Sequence, residues 1–342
     1  MKNIENSKLS LAYSTPRLNY DRIVAPIASE LALLDTRIQD LIERFADPFF
    51  PEATLLCKGG KRIRSVLCLL FAKAFTNDPI TLAKTVSVST YIEGIHLCSL
   101  LHDDVIDNAN ERRGNMTLHQ RYGRTGAILA GDMIYIKLFH HFLHSDVSSV
   151  MDIVIEGAIG MVEGETEQTL IAIKELEPTV PEYLHSISRK TALFFQSAAE
   201  SGAVLGTENN SALLSDKLRN AVRVFGHEFG MAFQIVDDIL DWNAEQKDLG
   251  KDLLADIRSS KLTLPLLIFM EDDYKKARKL IETAKNGDIN ELAGIISDRG
   301  YLDKAYQVAE RYAERARTAL KDLKTNTDNL NELVEYTLTR KN

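Results

Sequence analysis

The sequence predicts an all-α protein. Its 342 residues include only 18 glycines and 8 prolines, so long segments contain no helix-breaking residue. Residues that favour helices dominate these segments, and apolar side chains recur in them at the helical period. With 45% hydrophobic residues, the chain can bury a substantial core. We therefore expect a bundle of helices.

The predicted helices follow one another along the whole chain. The first begins near Tyr20 and ends at the break of residues 47–51. Further apolar or amphipathic segments predict helices at 66–75, 80–108, 127–143, 147–173, 183–205, 212–242 and 262–270. From Glu271 onward the chain is charged and helical, with Gly287 and Gly300 as predicted helix ends.

No linker rich in Pro, Gly or Ser divides these helices, so we expect one domain over residues 20–342. Residues 1–19 are polar, contain Pro16 and lack the apolar stretch of a signal peptide, which predicts a flexible leader. No apolar run approaches the ~18 residues that a membrane-spanning helix needs.

Charge and cysteine content restrict the class of protein further. The formal net charge of −8 argues against a nucleic-acid partner. Three cysteines show no metal-binding spacing: Cys57, Cys68 and Cys98. They predict reduced thiols in a cytoplasmic protein.

One acidic pattern occurs twice, each time within apolar sequence that is predicted to be helical. Its copies are Asp103-Asp104-Val105-Ile106-Asp107 and Asp237-Asp238-Ile239-Leu240-Asp241. Carboxylates four positions apart project from the same face of a helix, so each copy presents a pair. A solvated acidic face would explain one such run, but it explains two runs in apolar surroundings poorly.

Two facing carboxylate pairs suit Mg²⁺. This ion takes oxygen ligands, keeps several waters and bridges carboxylates to substrate phosphates. The predicted metal ligands are the six aspartates of the two motifs: Asp103, Asp104, Asp107, Asp237, Asp238 and Asp241. The sequence thus predicts a Mg²⁺ site that holds a diphosphate.

Basic residues lie close to both acidic motifs and could neutralise such an anionic substrate. The first group follows two glycines in a turn that opens a helix, where free N–H groups and the helix dipole attract anions. The residues concerned are Lys61, Arg62, Arg64, Arg112, Arg113, Lys190, Lys251 and Lys261. Each signal alone is common on protein surfaces, but their shared position beside the acidic motifs favours a diphosphate site.

Taken together, the motifs resemble those of the all-trans polyprenyl diphosphate synthases, in the same order over about residues 55–270. The matching segments are Gly59–Arg64, Leu101–Asp107, Arg112–Gly114, Gly131-Asp132, Gly164-Glu165 with Gln168, Lys190-Thr191, Phe233–Asp241, Gly250-Lys251, Asp256 and Lys261–Pro265. The resemblance implies a single-domain, isoprenoid synthase-like helical bundle around a deep central cavity, usually dimeric. It also implies head-to-tail transfer of an allylic prenyl group onto isopentenyl diphosphate.

The resemblance implies a role for each matching residue. The six aspartates would bind the Mg²⁺ ions that hold the allylic diphosphate. Three basic residues would contact that diphosphate: Arg112, Lys190 and Lys251. Isopentenyl diphosphate would be held by Lys61, Arg64, His96 and Arg113. The implied catalytic residues, of which the last two would turn their dipoles toward the allylic cation, are Lys190, Thr191 and Gln234.

The chain departs from the family pattern at three positions. Ser65 and Met116 stand where family members usually have Pro, and Ser260 stands where they usually have Gly. None of these changes removes a ligand. We expect the first two to alter loop stiffness only.

Product length is predicted from the helix before the first motif. In this family, residues one turn or more before the first aspartate form the floor of the product tunnel. Here they are the small Ser99 and Cys98, and the next aromatic at helical spacing, Tyr91, lies about 18 Å from Asp103 along the helix. A long product, hexaprenyl to decaprenyl, is therefore expected. Geranylgeranyl or farnesyl diphosphate is the alternative, since residues 133–139 could supply a floor.

Other classes of protein stay open. A class I terpene cyclase shares the first aspartate motif but normally lacks the Gly-Gly-Lys-Arg turn. A non-catalytic subunit of a heteromeric synthase would not need intact aspartate motifs, and a helical scaffold would need none of them. We expect a homodimer, and leave open whether an accessory subunit binds it.

Overall fold

The structure, a computed structural model, describes residues 19–174, 176–208, 214–243, 257 and 261–340. It confirms the all-α prediction. The helices are α1 Tyr20–Val24, α2 Ala28–Ala46, α3 Ile63–Phe75, α4 Pro79–Ile106, α5 Leu118–Leu143, α6 Met151–Ile173, α7 Val180–Ile187, α8 Leu193–Gly206, α9 Asp216–Asn243, α10 Leu264–Asp272, α11 Tyr274–Lys285, α12 Asn290–Asp298, α13 Tyr301–Leu320 and α14 Asp328–Thr339. The predicted leader lies almost wholly outside the described residues.

Local sequence explains where these helices begin and end. Asp78 caps α4 by accepting a hydrogen bond from the Thr81 N–H at 2.9 Å. Thr179 and Glu182 form a reciprocal capping box at the start of α7. Gly300, at a φ of 74°, separates α12 from α13, as its predicted role as a helix end requires.

Helix α8 lies at the centre of the bundle. Helices α3 and α9 both pack against it, and α6 covers a third side. The backbones of α3 and α8 approach so closely that a Cβ atom at Gly202 would lie 2.0 Å from the Cys68 carbonyl oxygen. The long helices α4 and α9, which carry the two aspartate motifs near their C-terminal ends, pack on this central layer.

Helix α6 has two different faces. Gly157, Gly160 and Gly164 face α8 and the turn before it, where a Cβ atom would clash at each position. The opposite face exposes apolar side chains, among them Ile159 at 51% and Ile173 at 70%. Small residues thus hold α6 close to the bundle while its outer face remains apolar.

The buried side chains form two clusters that share α3 and α8. Leu67 belongs to one cluster and Cys68 to the other, and Phe195 and Phe194 are divided in the same way. The two central helices therefore contact both halves of the core. The single domain over residues 20–342 stays a prediction.

Three segments differ from the sequence prediction. Residues 111–116, which lie between two predicted helices, form a short antiparallel hairpin, in which Glu111–Arg112 pairs with Asn115–Met116. Helix α5 has an additional first segment, which runs from Leu118 to a kink at Gly123 and precedes the predicted start. The long helix predicted over 183–205 is interrupted at Ser188–Ala192 by a π-helical turn.

Two further features bear on the sequence predictions. Within the described residues, no helix is both long and apolar enough to span a bilayer. The three cysteines are buried and free, as reduced thiols would be. The cytoplasmic location stays a prediction.

Candidate active site

A cavity of about 750 Å³ opens between the C-terminal ends of α4 and α9. Its walls come from the turn before α3, from α4, α6 and α9, from the π-helical turn and from the end of α14. Nine of the predicted site residues line it: Lys61, Arg64, His96, Asp103, Arg113, Lys190, Thr191, Gln234 and Asp237. The fold therefore gathers groups from distant parts of the chain into one pocket.

In the first aspartate motif, the carboxylates point in two directions. Asp103 lines the cavity, and Asp107 lies one turn further on, in contact with the Lys261 ammonium. Asp104 is 1% exposed and accepts a hydrogen bond from Arg112 Nε at 2.7 Å. Asp104 and Arg112 thus pair with each other, and their predicted roles as metal ligand and diphosphate contact stay predictions.

Burial changes the ionisation of Asp103. Desolvation raises the pKa of its carboxyl to about 6, with nearby Glu165 and Asp107 adding to the rise and Lys190 and Lys261 opposing it. A divalent cation would favour the ionised form of this group, because metal ligands bind deprotonated. Asp103 is thus a carboxylate whose charge needs a cation partner.

The carboxylates of the second motif also point in different directions. Asp237 lines the cavity and forms an ion pair with Arg340. Asp238 is 6% exposed; it accepts hydrogen bonds from the Tyr183 hydroxyl and, at 2.8 Å, from Gln234 Nε2. Asp241 is exposed at the end of α9. Asp238 therefore anchors α9 to α7, and its role as a metal ligand stays a prediction.

The π-helical turn places Lys190 and Thr191 in the cavity wall. A Cβ atom at Gly164 would lie 2.4 Å from the Lys190 backbone nitrogen, so α6 lies directly against this turn. Thr191 donates a hydrogen bond to Gln234 Oε1 at 2.8 Å. Because the Gln234 amide binds Thr191 through oxygen and Asp238 through nitrogen, its orientation is determined at both ends.

The glycine turn before α3 holds the second cationic group. Gly60 has a φ of 92° and lies so close to Arg113 that a Cβ atom there would be 2.9 Å from the guanidinium. Arg113 donates in turn to the carbonyl oxygens of this loop, at 3.0 Å for Gly59. Lys61 lies over the Tyr336 ring, 5.5 Å from its centre.

Arg64 and His96 lie deeper in the same wall. The Arg64 guanidinium stacks 4.6 Å from the centre of the Phe195 ring, and its Nε has no hydrogen-bond partner among the described residues. Burial and the neighbouring arginines hold the pKa of His96 well below its usual range, so its imidazole is neutral. Both groups have hydrogen-bonding capacity that an anionic ligand could use.

Ser65, one of the departures from the family pattern, has a contact that the sequence did not predict. It lies in the first turn of α3 and donates a hydrogen bond to Glu93 Oε1 at 2.9 Å. Glu93 is 3% exposed, lines the cavity and lies 3.7 Å from Arg62. Ser65 therefore orients a buried carboxylate, which corrects the expectation that it alters only loop stiffness.

Arg340 is the main site residue that the sequence analysis missed. It follows α14, is 8% exposed, donates to the Phe233 carbonyl oxygen at 3.2 Å and lies 4.2 Å from the centre of the Phe233 ring. Its position far from every motif gave no signal. Lys251, by contrast, was predicted as a substrate contact but lies outside the described residues.

Beyond the charged groups, the cavity continues along α4 and α6 between apolar side chains. Ser99, Leu100 and Met161 line this part. Cys98 does not: it is 1% exposed and packs in the core. The placement of Cys98 at the tunnel floor is therefore wrong, because one residue along a helix turns the side chain by about 100°.

The site has the donor set that Mg²⁺ needs without a preformed cage. No group of three or more His, Cys, Asp or Glu side chains in the described part of the chain is arranged to hold a metal by itself. Mg²⁺ in phosphate sites is commonly bound by one or two carboxylates together with substrate phosphates. Asp103 and Asp237, which line the cavity, and Asp107, one turn beyond Asp103, fit that arrangement.

Known proteins have sequences similar to that of this chain. The family model described as polyprenyl synthetase matches residues 51–297. The octaprenyl diphosphate synthase of Haemophilus influenzae is 32% identical over 78% of this chain and 79% of its own length. The geranylgeranyl diphosphate synthase of Sulfolobus acidocaldarius is also 32% identical, over 89% of this chain and 96% of its own.

Solved structures agree with the sequence comparisons. A polyprenyl synthase from Caulobacter crescentus, complexed with calcium and isoprenyl diphosphate, matches with a TM-score of 0.80 and 27% identity, covering 96% of this chain and all of that one. The heptaprenyl diphosphate synthase of Staphylococcus aureus gives the same TM-score at 28% identity, over 96% and 100% of the two chains. By its motifs, its fold and these matches, the chain belongs to the polyprenyl synthetase family.

Proposed function

We propose that this protein is an all-trans polyprenyl diphosphate synthase, which transfers an allylic prenyl group head-to-tail onto isopentenyl diphosphate with Mg²⁺. The single observation that carries the proposal is the combination of charges in one cavity. Its wall holds two aspartates, Asp103 and Asp237, together with Lys61, Arg64 and Lys190. Two anionic groups can therefore be held in one cavity, with an apolar space beyond them for a hydrocarbon chain.

The allylic diphosphate would lie between the two aspartate helices. Asp103, Asp107 and Asp237 would hold Mg²⁺, which when bound supplies positive charge to the diphosphate as its C–O bond breaks. Lys190 would donate to the same oxygens from the π-helical turn. Because these groups are in place before the reaction, little reorganisation is needed as negative charge develops on the leaving pyrophosphate.

The allylic cation would form next to Thr191 and Gln234. The Thr191 hydroxyl donates a hydrogen bond to Gln234 Oε1, so a lone pair of the hydroxyl oxygen can face the cation. Lys61, Arg64 and His96 would hold isopentenyl diphosphate, so that its double bond meets the cation. The apolar wall excludes water that would otherwise quench it, and the departing pyrophosphate can accept the proton that is lost last.

A synthase can be distinguished from its rivals by one incubation. The purified chain is given Mg²⁺, farnesyl diphosphate and labelled isopentenyl diphosphate, and the products are sized after dephosphorylation. Consumption of isopentenyl diphosphate with chain elongation supports the proposal. Release of pyrophosphate from the allylic substrate alone indicates a cyclase. Activity that appears only after a second subunit is added indicates a heteromeric enzyme.

We propose a long-chain product, hexaprenyl to decaprenyl. The small Ser99 leaves the cavity open along α4, and relatives include octaprenyl and nonaprenyl diphosphate synthases. A geranylgeranyl product is the alternative, because a geranylgeranyl diphosphate synthase is similar to the same extent. Tyr135 on α5, whose pKa burial raises to about 12, belongs to the predicted alternative floor.

Ser99→Phe is expected to shorten the product by several isoprene units. A phenyl ring at this cavity position would meet the growing chain, whereas Ser99→Ala keeps the space open and should give the wild-type length. Overpacking could cost about 1–3 kcal/mol of folding free energy, so a melting curve accompanies the chromatography of products. An unchanged product from folded Ser99→Phe would place the floor elsewhere.

We further propose that the protein is a homodimer formed through α5 and α6. Leu129, Ile136 and Leu143 recur at every seventh position of α5, so they share one face, and they are exposed by 56%, 68% and 57%. Val162 on the apolar face of α6 is 55% exposed and also lines the cavity. A second copy would bury these side chains and close part of the cavity wall.

Ile136→Asp is expected to convert the dimer to monomers at micromolar concentration, because a carboxylate would be buried in an apolar contact. Sedimentation velocity measures the change. The matched control is Ile80→Asp, at a side chain that is 71% exposed on the opposite end of α4 from the cavity. A monomeric wild type, or a dimeric Ile136→Asp variant, would contradict the proposed interface.

A further inference from the structure

Glu165 is a buried carboxylate in the cavity wall to which the sequence assigned no role. Its side chain is 13% exposed, and its two oxygens face two ammonium groups. One oxygen contacts the Lys190 ammonium and the other lies 3.6 Å from Lys261 Nζ. A buried carboxylate without such partners would be costly, so this residue and the two lysines depend on one another.

The ion pairs form a chain of alternating charge. Lys261 also contacts Asp107, so the order is Asp107, Lys261, Glu165 and Lys190. Lys190 is further held by Gln168 Oε1 at 3.2 Å. Glu165 therefore lies between two ammonium groups, and one of them already contacts a carboxylate that would bind metal.

Glu165 can control a competition between lysine and a divalent cation for the carboxylates of the first aspartate motif. A lysine that pairs closely with a carboxylate neutralises its charge and so weakens the binding of a divalent cation to the same group. Without a carboxylate at position 165, the two lysines would still have Asp107 and Asp103 close to them among the described residues, the latter lining the same cavity. The close approach of Gly164 to the Lys190 backbone keeps Glu165 beside the lysine, so the alternative partner is always within reach.

We propose that Glu165 is a positioning residue that holds Lys190 and Lys261 at the site while leaving Asp103 and Asp107 accessible to the metal ions. This role rests on the proposed diphosphate chemistry. It adds that a metal ion replaces lysine as the partner of the carboxylates in the first aspartate motif. When metal and diphosphate bind, the Lys261 ammonium would move away from Asp107 and toward Glu165. Lys190 remains aimed at the diphosphate.

The test measures metal binding without turnover. Mn²⁺, which takes the same oxygen ligands as Mg²⁺, is titrated with the full chain and inorganic pyrophosphate, and free Mn²⁺ is followed by electron paramagnetic resonance. Glu165→Gln keeps the side-chain shape and removes its charge. We expect its Mn²⁺ affinity to fall about tenfold or more, a loss typical of residues that orient metal ligands. Glu165→Asp should recover most of the affinity.

Two further variants make the result specific. Glu167→Gln removes the same charge from the same helix at a side chain that is 42% exposed and pairs with Arg189, so it should bind Mn²⁺ like the wild type. The double variant Glu165→Gln/Lys261→Met removes the competing lysine as well. We expect it to bind Mn²⁺ within about threefold of the wild type.

The outcomes separate this inference from the proposed function. If the wild type does not bind Mn²⁺ with pyrophosphate, the diphosphate site itself is wrong. Wild-type-like binding by folded Glu165→Gln, or an equal loss in Glu167→Gln, overturns only the role of Glu165. Failure of the double variant to recover affinity overturns it too, since competition by Lys261 would not be the cause. Should Glu165→Gln not fold, the double variant and Glu165→Asp still decide the question.

Discussion

Asp103→Asn is expected to lower kcat by about a thousandfold while the protein remains folded. The amide has the shape of the carboxylate but lacks its charge, so it loses a ligand of the metal that stabilises the leaving pyrophosphate. Interactions made with developing charge in the transition state are each worth about 3–4 kcal/mol. The loss should appear in kcat more than in KM, because it acts mainly on the transition state.

The matched control for Asp103→Asn is Asp40→Asn, on the exposed face of α2. Initial rates of isopentenyl diphosphate incorporation at saturating substrate measure the effect, and circular dichroism shows whether both variants fold. Turnover close to the wild type in Asp103→Asn would remove the first aspartate motif from the metal site. A matching loss in Asp40→Asn would point to the overall charge of the protein.

The second large effect is expected at the other substrate. Lys61→Ala should raise the KM of isopentenyl diphosphate by about ten- to a hundredfold, since one hydrogen bond between charged groups contributes roughly 1.5–3 kcal/mol. The KM of the allylic diphosphate should change by much less. Lys61 lies just before α3 and lines the cavity.

Lys58→Ala provides the comparison for Lys61→Ala, because Lys58 is an exposed lysine of the same loop that does not line the cavity. Both KM values are measured for each variant, with the other substrate saturating. An equal rise for the two substrates in Lys61→Ala would mean that the two diphosphate pockets have been assigned wrongly. An effect of Lys58→Ala as large as that of Lys61→Ala would indicate long-range attraction of anions by the loop.

The sequence predicted the features that depend on local periodicity. The long helices follow from apolar spacing, and two carboxylates four positions apart necessarily share a helix face. Asp103 and Asp107 behave in this way. The same reasoning could not show that Asp104 and Asp238 turn inward, because that choice depends on Arg112 and Tyr183, which reach them from other elements.

The sequence could not predict features that depend on contacts between residues far apart in the chain. Arg340 reaches Asp237 across the bundle, and nothing near residue 340 indicates an acidic partner. Cys98 and Ser99 are equally small, so their size could not show which one faces the cavity. The hairpin at residues 111–116 has too few residues for an alternating pattern to be recognised.

The π-helical turn at Ser188–Ala192 makes this segment sensitive to insertions and deletions. A π turn holds one more residue than a turn of α-helix. Deleting one residue here would restore a regular helix and leave α7 and α8 almost in their present register, because the turn absorbs the extra residue. Tyr183 would keep its contact with Asp238, but Lys190 would change its direction relative to Glu165. The number of residues in this turn is therefore as strongly constrained by the site as their identity.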